Sequence, residues 1–91
     1  MRLGLFGRGR LGRALAAEIA LDPSLELGWA VDRGEEPAGP VDLAIDASSA
    51  EAVTGHLDWC LEHGTDLLIG TTGWERAGLA ELVGRRIGVL V

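Results

Sequence analysis

Lysine and tyrosine are missing from this chain, phenylalanine and cysteine occur once each, and no apolar run exceeds a few residues. A single cysteine excludes an internal disulfide and a multi-cysteine metal site. The short apolar runs fall far below the ~20 residues that span a bilayer. Met1 is followed by Arg2 and a β-like stretch instead of a secretory h-region. Positive charge is scarce too: eight basic residues stand against fourteen acidic ones, a net charge of −6, which argues against nonspecific nucleic-acid binding. What is present is ordinary for a globular fold, 47% hydrophobic and 24% charged residues. Ninety-one residues make one domain, burying roughly 60–65% of the unfolded chain's surface. The chain reads as soluble and cytoplasmic, with no second lobe of substrate-binding size.

All eight basic residues are arginine, and Arg2, Arg8, Arg10 and Arg13 crowd the first thirteen positions. A bias toward arginine accounts for the missing lysine but not for this clustering. Fourteen glycines punctuate a repeated strand and helix pattern. Arg2 to Phe6 is predicted as a buried strand. Leu11 to Leu21 carries Leu11, Leu15, Ala16, Ile19 and Ala20 at helical spacing, and Asp22-Pro23 stops it. Leu25 to Val31 and Val41 to Ile45 are the next strands. Ala50 to His63 is predicted helical, with Ser48 or Ser49 as N-cap, Gly64 at its end, and Ser48 and Glu51 spaced as a capping box. Leu67 to Gly70 and Arg86 to Val91 complete five strands, with a helix over Trp74 to Val83 between them. The alternation predicts an α/β fold, a Rossmann-like doubly wound parallel sheet with strand order 3-2-1-4-5. Asp32 to Pro40, with two prolines and two glycines, is too short for a helix and two loops. At ~3.3 Å per residue it can span about 30 Å as an extended crossover.

Gly7-Arg8-Gly9-Arg10-Leu11-Gly12 is a G-x-G-x-x-G run that follows the first strand and opens the first helix. In that context Gly7 permits the turn, Gly9 admits a pyrophosphate to the backbone, and Gly12 lets helix and strand pack closely. The helix N-terminus offers free N–H groups to an anion, and Arg8 and Arg10 add charge there. The bland alternative is a glycine-rich turn with solvated arginines. Asp32 lies twenty residues after Gly12, where an acid hydrogen-bonds a ribose hydroxyl, and Arg33 beside it can pair with a 2′-phosphate. This pair suggests tolerance of both NADH and NADPH, although Arg33 also suits a solvated turn. Asp46-Ala47-Ser48-Ser49 and Gly70-Thr71-Thr72-Gly73-Trp74 end the third and fourth strands, on the edge where open parallel sheets hold ligands. Capped loops without a ligand would use the same residues.

Taken together, the glycine turn, Asp32-Arg33, Asp46-Ala47-Ser48-Ser49 and Gly70-Thr71-Thr72-Gly73 resemble the N-terminal nucleotide-binding domain of the dihydrodipicolinate reductases, over essentially all 91 residues. The resemblance implies a reductase that uses NADH or NADPH on a cyclic intermediate of diaminopimelate and lysine biosynthesis. It implies that Gly7 to Gly12 cradle the pyrophosphate and that Asp32 and Arg33 meet the adenosine ribose. Ala47 and Ser48 would line the cofactor path, and Gly70, Thr71 and Thr72 would face the nicotinamide. Two departures stand out: the glycine loop is one residue shorter than the family's commonest form, and Ala47 replaces a common aromatic. The family's catalytic histidine and substrate-binding lysine belong to a C-terminal domain, also its oligomerisation domain, which follows an Ala-Pro-Asn segment after the fifth strand. The 91 residues are therefore expected to bind cofactor without catalysis. Two other readings stay open, a stand-alone NAD(H)-binding module and the cofactor domain of an aspartate or homoserine dehydrogenase; Gly-Thr-Thr-Gly disfavours the last. His56 and His63 are read as surface or helix-end histidines, Cys60 as a small buried hydrophobe, and Trp29, Trp59 and Trp74 as packing residues, with Trp74 alone near the ligand edge.

Overall fold

Alternation along the first strand sets up both faces of the sheet. In β1 (Arg2–Phe6), Leu3 and Leu5 point to one side and Gly4 and Phe6 to the other, and the four residues after Arg2 are buried. The computed structural model describes residues 1–70 and the backbone of Val89–Leu90. Within them the chain runs through β1, α1 (Arg10–Leu21), β2 (Glu26–Val31), β3 (Leu43–Asp46), α2 (Ala50–His63), β4 (Asp66–Ile69) and β5 (Val89–Leu90). The predicted helix over Trp74 to Val83, the start of the fifth strand, and Thr71 and Thr72 lie outside the described residues. No helix among the described residues is long and apolar enough to cross a membrane.

All four strand pairings are parallel, and the order across the sheet is β2-β1-β3-β4-β5. The expected order 3-2-1-4-5 is thus corrected to 2-1-3-4-5. β2 and β3 run parallel in either order and need a crossover between them, normally a helix packed on the sheet; residues 32–42 make it without one. The chain instead runs past β1 in irregular form and enters the sheet on its far side. There Ala44 and Asp46 of β3 become fully buried between β1 and β4. Trp29 fastens the crossover by donating its indole N–H to the Gly39 carbonyl at 2.8 Å, and the Arg2 N–H donates to the Asp42 carboxylate at 2.7 Å.

Both helices stop where their sequences say they should. Asp22 ends α1, and Gly64, in the left-handed region at φ 64°, ends α2. The N-cap of α2 is Ser49, without a side-chain hydrogen bond to the helix. The capping box from Ser48 is not formed, because the Ser48 hydroxyl is engaged elsewhere. α1 packs against β1 and β2, and α2 against β3 and β4. The larger core joins Phe6, Trp29 and Val31 to Val53, Leu57 and Cys60 of α2. Three of the four aromatic residues meet in it, with Phe6 and Trp29 centred 5.0 Å apart and Trp29 and Trp59 5.5 Å apart, edge to face. Gly4 makes room for this cluster, since a Cβ there would lie 2.3 Å from the Trp29 ring. Gly28 is an extra residue between Leu27, which pairs with Leu3, and Trp29, which pairs with Gly4.

Candidate functional site

Four strands deliver their carboxyl ends to one edge. The Gly7 N–H bonds the Val31 carbonyl at 2.7 Å, the Ala47 N–H the Phe6 carbonyl at 2.8 Å, and the Gly70 N–H the Asp46 carbonyl at 2.9 Å. These bonds continue the ladders past the strand ends and set the loops side by side. In a 2-1-3-4-5 sheet the chain leaves β1 toward opposite neighbours at this point, and that switch point is where ligands bind. A cleft of about 560 Å³ opens there. Its walls are the glycine turn (Gly7, Arg8, Gly9), the end of β2 with the following turn (Val31 to Glu35), and the start of α2 (Ala47, Ser48, Ser49, Ala52, His56).

The glycine turn divides its work among three residues. Gly7 holds φ 106°, which side chains rarely adopt, and a Cβ there would lie 2.6 Å from the Ala47 carbonyl oxygen. Gly12 lies beneath the turn, where a Cβ would come within 2.1 Å of the Gly7 carbonyl oxygen. Gly9, the N-cap of α1, has nothing within 4 Å of the corresponding point, so its missing side chain leaves open space. The first helical bond of α1 runs from the Arg13 N–H to the Gly9 carbonyl at 2.9 Å. Helix geometry leaves the Arg10, Leu11 and Gly12 N–H groups without intrahelical partners. No acid neutralises this helix start, so its dipole favours an anion there. The side chains of Arg10 and Leu11 are exposed and take no part in the cleft wall.

At the end of β2, Asp32 and Arg33 both line the cleft. The Arg33 N–H donates to Asp32 Oδ1 at 2.8 Å, and the Glu35 N–H closes the turn on the Asp32 carbonyl at 3.0 Å. Glu35 reaches back to accept from the Asp32 N–H at 2.8 Å and from Arg8 Nη2 at 2.7 Å. Arg8 is therefore tied to a carboxylate across the mouth of the cleft.

On the opposite wall, Asp46 is fully buried at the end of β3. It accepts from the Ser48 N–H at 3.0 Å and from the Ser48 hydroxyl, and its Oδ2 lies 2.7 Å from His56 Nδ1. The His56 ring stacks on Phe6 with centroids 3.9 Å apart and planes 9° apart. An acceptor at Nδ1 places the proton there, so the neutral ring presents Nε2 as an acceptor. The expectation of His56 as a surface or helix-end residue is corrected: it is part of the cleft. Ser49, Ala52 and His56 share one side of α2 at the helical spacing i, i+3, i+7, which carries that stripe from the ligand edge; this spacing was the available signal. His63 does lie at the helix end, stacked on Trp59 with its Nδ1 2.8 Å from the Trp59 carbonyl oxygen. Cys60 is buried behind the site. Burial, with the Asp46 and Asp66 carboxylates adding to it, pushes its thiol up to about 12. Among the described residues no group of three metal-ligating side chains occurs.

Of the other expected site residues, Gly70 is exposed just past the end of β4, next to Asp46. Known proteins are similar to this chain in sequence. The family model described as dihydrodipicolinate reductase, N-terminus, matches residues 35–91. A 4-hydroxy-tetrahydrodipicolinate reductase of Corynebacterium urealyticum is 34% identical over 79 residues, covering 81% of this chain and 32% of the relative. Enzymes of the same name from Nocardia farcinica and Thermobifida fusca are each 33% identical, over 92% and 90% of this chain and 36% and 35% of their own length. The chain thus spans about a third of the length of the relatives it matches.

Proposed function

The chain belongs to the dihydrodipicolinate reductase family, matching its N-terminal part, and on that premise we propose that its cleft binds NADH or NADPH for reduction of 4-hydroxy-tetrahydrodipicolinate. One observation carries the reading. A glycine turn that tolerates no Cβ at Gly7 or Gly12 opens onto a cleft at the sheet's switch point, with an acid at the end of β2. The donor set suits the ligand: backbone N–H groups at the start of α1 for a pyrophosphate, and the Asp32 carboxylate for a ribose hydroxyl. When bound, the dinucleotide supplies a hydride.

The chain's own residues bind and orient. Gly9 lets the backbone approach the phosphates, and the N–H groups of Arg10, Leu11 and Gly12 receive them, with Arg10 adding charge nearby while Arg8 is paired with Glu35. Asp32 accepts from the ribose, and Arg33 meets a phosphate when one is present. Ala47 and Ser48 line the path, and Gly70, Thr71 and Thr72 serve the nicotinamide end. The 91 residues form the NAD(P)-binding domain of such a reductase and by themselves are expected to bind cofactor without turnover.

Isothermal titration of the 91-residue chain with NADH and NADPH tests the reading. Binding should release heat and shift the backbone amide resonances of Gly9 and Arg10. Absence of heat together with unmoved Gly9 and Arg10 resonances would refute it.

A further inference from the structure

We propose that Glu35 is a specificity-determining residue that sets the adenosine end of the cleft against a 2′-phosphate, so that the chain prefers NADH to NADPH. The proposal rests on the dinucleotide reading above and adds a residue to which the glycine turn and the Asp32-Arg33 pair do not point.

Glu35 is held in place from three sides. Its Oε1 accepts from Arg8 Nη2 at 2.7 Å and from the Asp32 N–H at 2.8 Å, and its Oε2 accepts from Arg8 Nη1 at 3.4 Å. Its own N–H closes the turn on the Asp32 carbonyl at 3.0 Å. Within one turn, then, the end of β2 presents two carboxylates to the same cleft wall, those of Asp32 and Glu35. Two arginines line this part of the cleft, and they are not equally available. Arg8 is committed to Glu35, which leaves the side chain of Arg33 to meet an added anion.

Ribose hydroxyls and phosphates respond to this wall in opposite ways. A 2′-hydroxyl donates to a carboxylate and gains a charge-assisted hydrogen bond. A 2′-phosphate monoester carries nearly two negative charges at neutral pH, has no proton to donate, and meets the Asp32 carboxylate beside a Glu35 carboxylate that has already taken up the Arg8 charge. Discrimination of this kind comes from repulsion of the wrong ligand as much as from attraction of the right one. Replacing Glu35 with Gln removes one carboxylate and releases Arg8, yet keeps an oxygen that accepts from the Asp32 N–H.

The test is titration of the 91-residue chain and its Glu35→Gln variant with NADH and NADPH, repeated at low and high salt. The unsubstituted chain should bind NADH more tightly than NADPH. Glu35→Gln should narrow that gap by about two- to fivefold, the range that an exposed charge pair supports, through tighter NADPH binding. In the unsubstituted chain the gap should also shrink as salt screens the repulsion, a readout that does not depend on the variant folding. Equal or tighter NADPH binding by the unsubstituted chain, or an unchanged ratio in Glu35→Gln, would overturn the proposal while leaving the dinucleotide site intact. Failure of both nucleotides to bind would remove that site and the proposal together.

Discussion

The glycines of a single turn make separable contributions, and substituting alanine at Gly9 and at Gly12 tells them apart. At Gly12 the added Cβ would sit 2.1 Å from the Gly7 carbonyl oxygen and 2.7 Å from its carbon. Ordinary carbon–oxygen contact lies more than about 1 Å further out, and both partners are backbone, so no side chain can rotate away. Nor is the turn free to yield, because Gly7 is pinned by its 2.7 Å bond to Val31 and by its positive φ. Overpacking of this kind costs about 1–3 kcal/mol, toward the upper end for a rigid partner, and alanine returns about 1 kcal/mol of helix propensity. The net loss is about 2 kcal/mol, or roughly 8–16 °C in Tm for a domain of this size. At Gly9 nothing lies within 4 Å of the added carbon, and φ −77° suits any residue. Gly9→Ala should cost under about 1 kcal/mol, the scale of an N-cap change, but its methyl group stands where the proposed dinucleotide site would admit a pyrophosphate. Thermal melting followed by NADH titration therefore separates them. Gly12→Ala should melt lower and bind weakly; Gly9→Ala should melt near the parent and bind at least about tenfold more weakly, since a misplaced contact of this size readily costs that much. A Gly12→Ala variant with unchanged Tm and affinity would refute the close-packing argument.

Three further outcomes follow from the same geometry. Arg33→Ala should weaken NADPH more than NADH, by about tenfold, the low end for a charge-assisted bond at an exposed residue; equal losses would show that Arg33 does not read the 2′-phosphate. Asp46→Ala removes the buried acceptor that the Ser48 N–H, the Ser48 hydroxyl and His56 Nδ1 share, and urea unfolding should show a loss of about 2–4 kcal/mol; an unchanged midpoint would mean that this network contributes nothing. The Cys60 thiol, raised from 9.0 to about 12 in the folded chain, keeps its proton when the unfolded thiol has lost its own. Stability should therefore fall as pH rises from about 9 toward about 12, and a Cys60→Ala variant should lose that part of the alkaline dependence in pH-resolved unfolding. At pH 8 the native thiol should resist a disulfide reagent, and rapid labelling of the folded chain would contradict its burial.

Local chemistry made much of this protein legible before its structure. β1 and α2 occupy the residues that a glycine-bounded apolar run and helix capping assigned to them: Leu3, Leu5 and Phe6 bury both faces of the strand, and Val53, Leu57 and Cys60 recur at the spacing that buries one face of the helix. The glycine turn was legible for the same reason, as backbone constraints at Gly7 and Gly12 act over a few residues. What tertiary structure alone decided was which strand lies beside which, and what the loops at the shared edge touch. The missing helix after β2 was visible in Asp32 to Pro40, but its consequence, β3 crossing to the far side of β1, depends on where Trp29 and Gly39 can meet and on β3 being buried from both sides. Likewise the Ser48 hydroxyl abandons the helix cap for Asp46, and His56 leaves the expected surface for the cleft. Both moves are dictated by a carboxylate buried at the end of β3, which must find hydrogen-bond donors wherever the fold brings them. A pairing across ten residues between a strand end and the second turn of a helix is a property of packing, and no local pattern carries it.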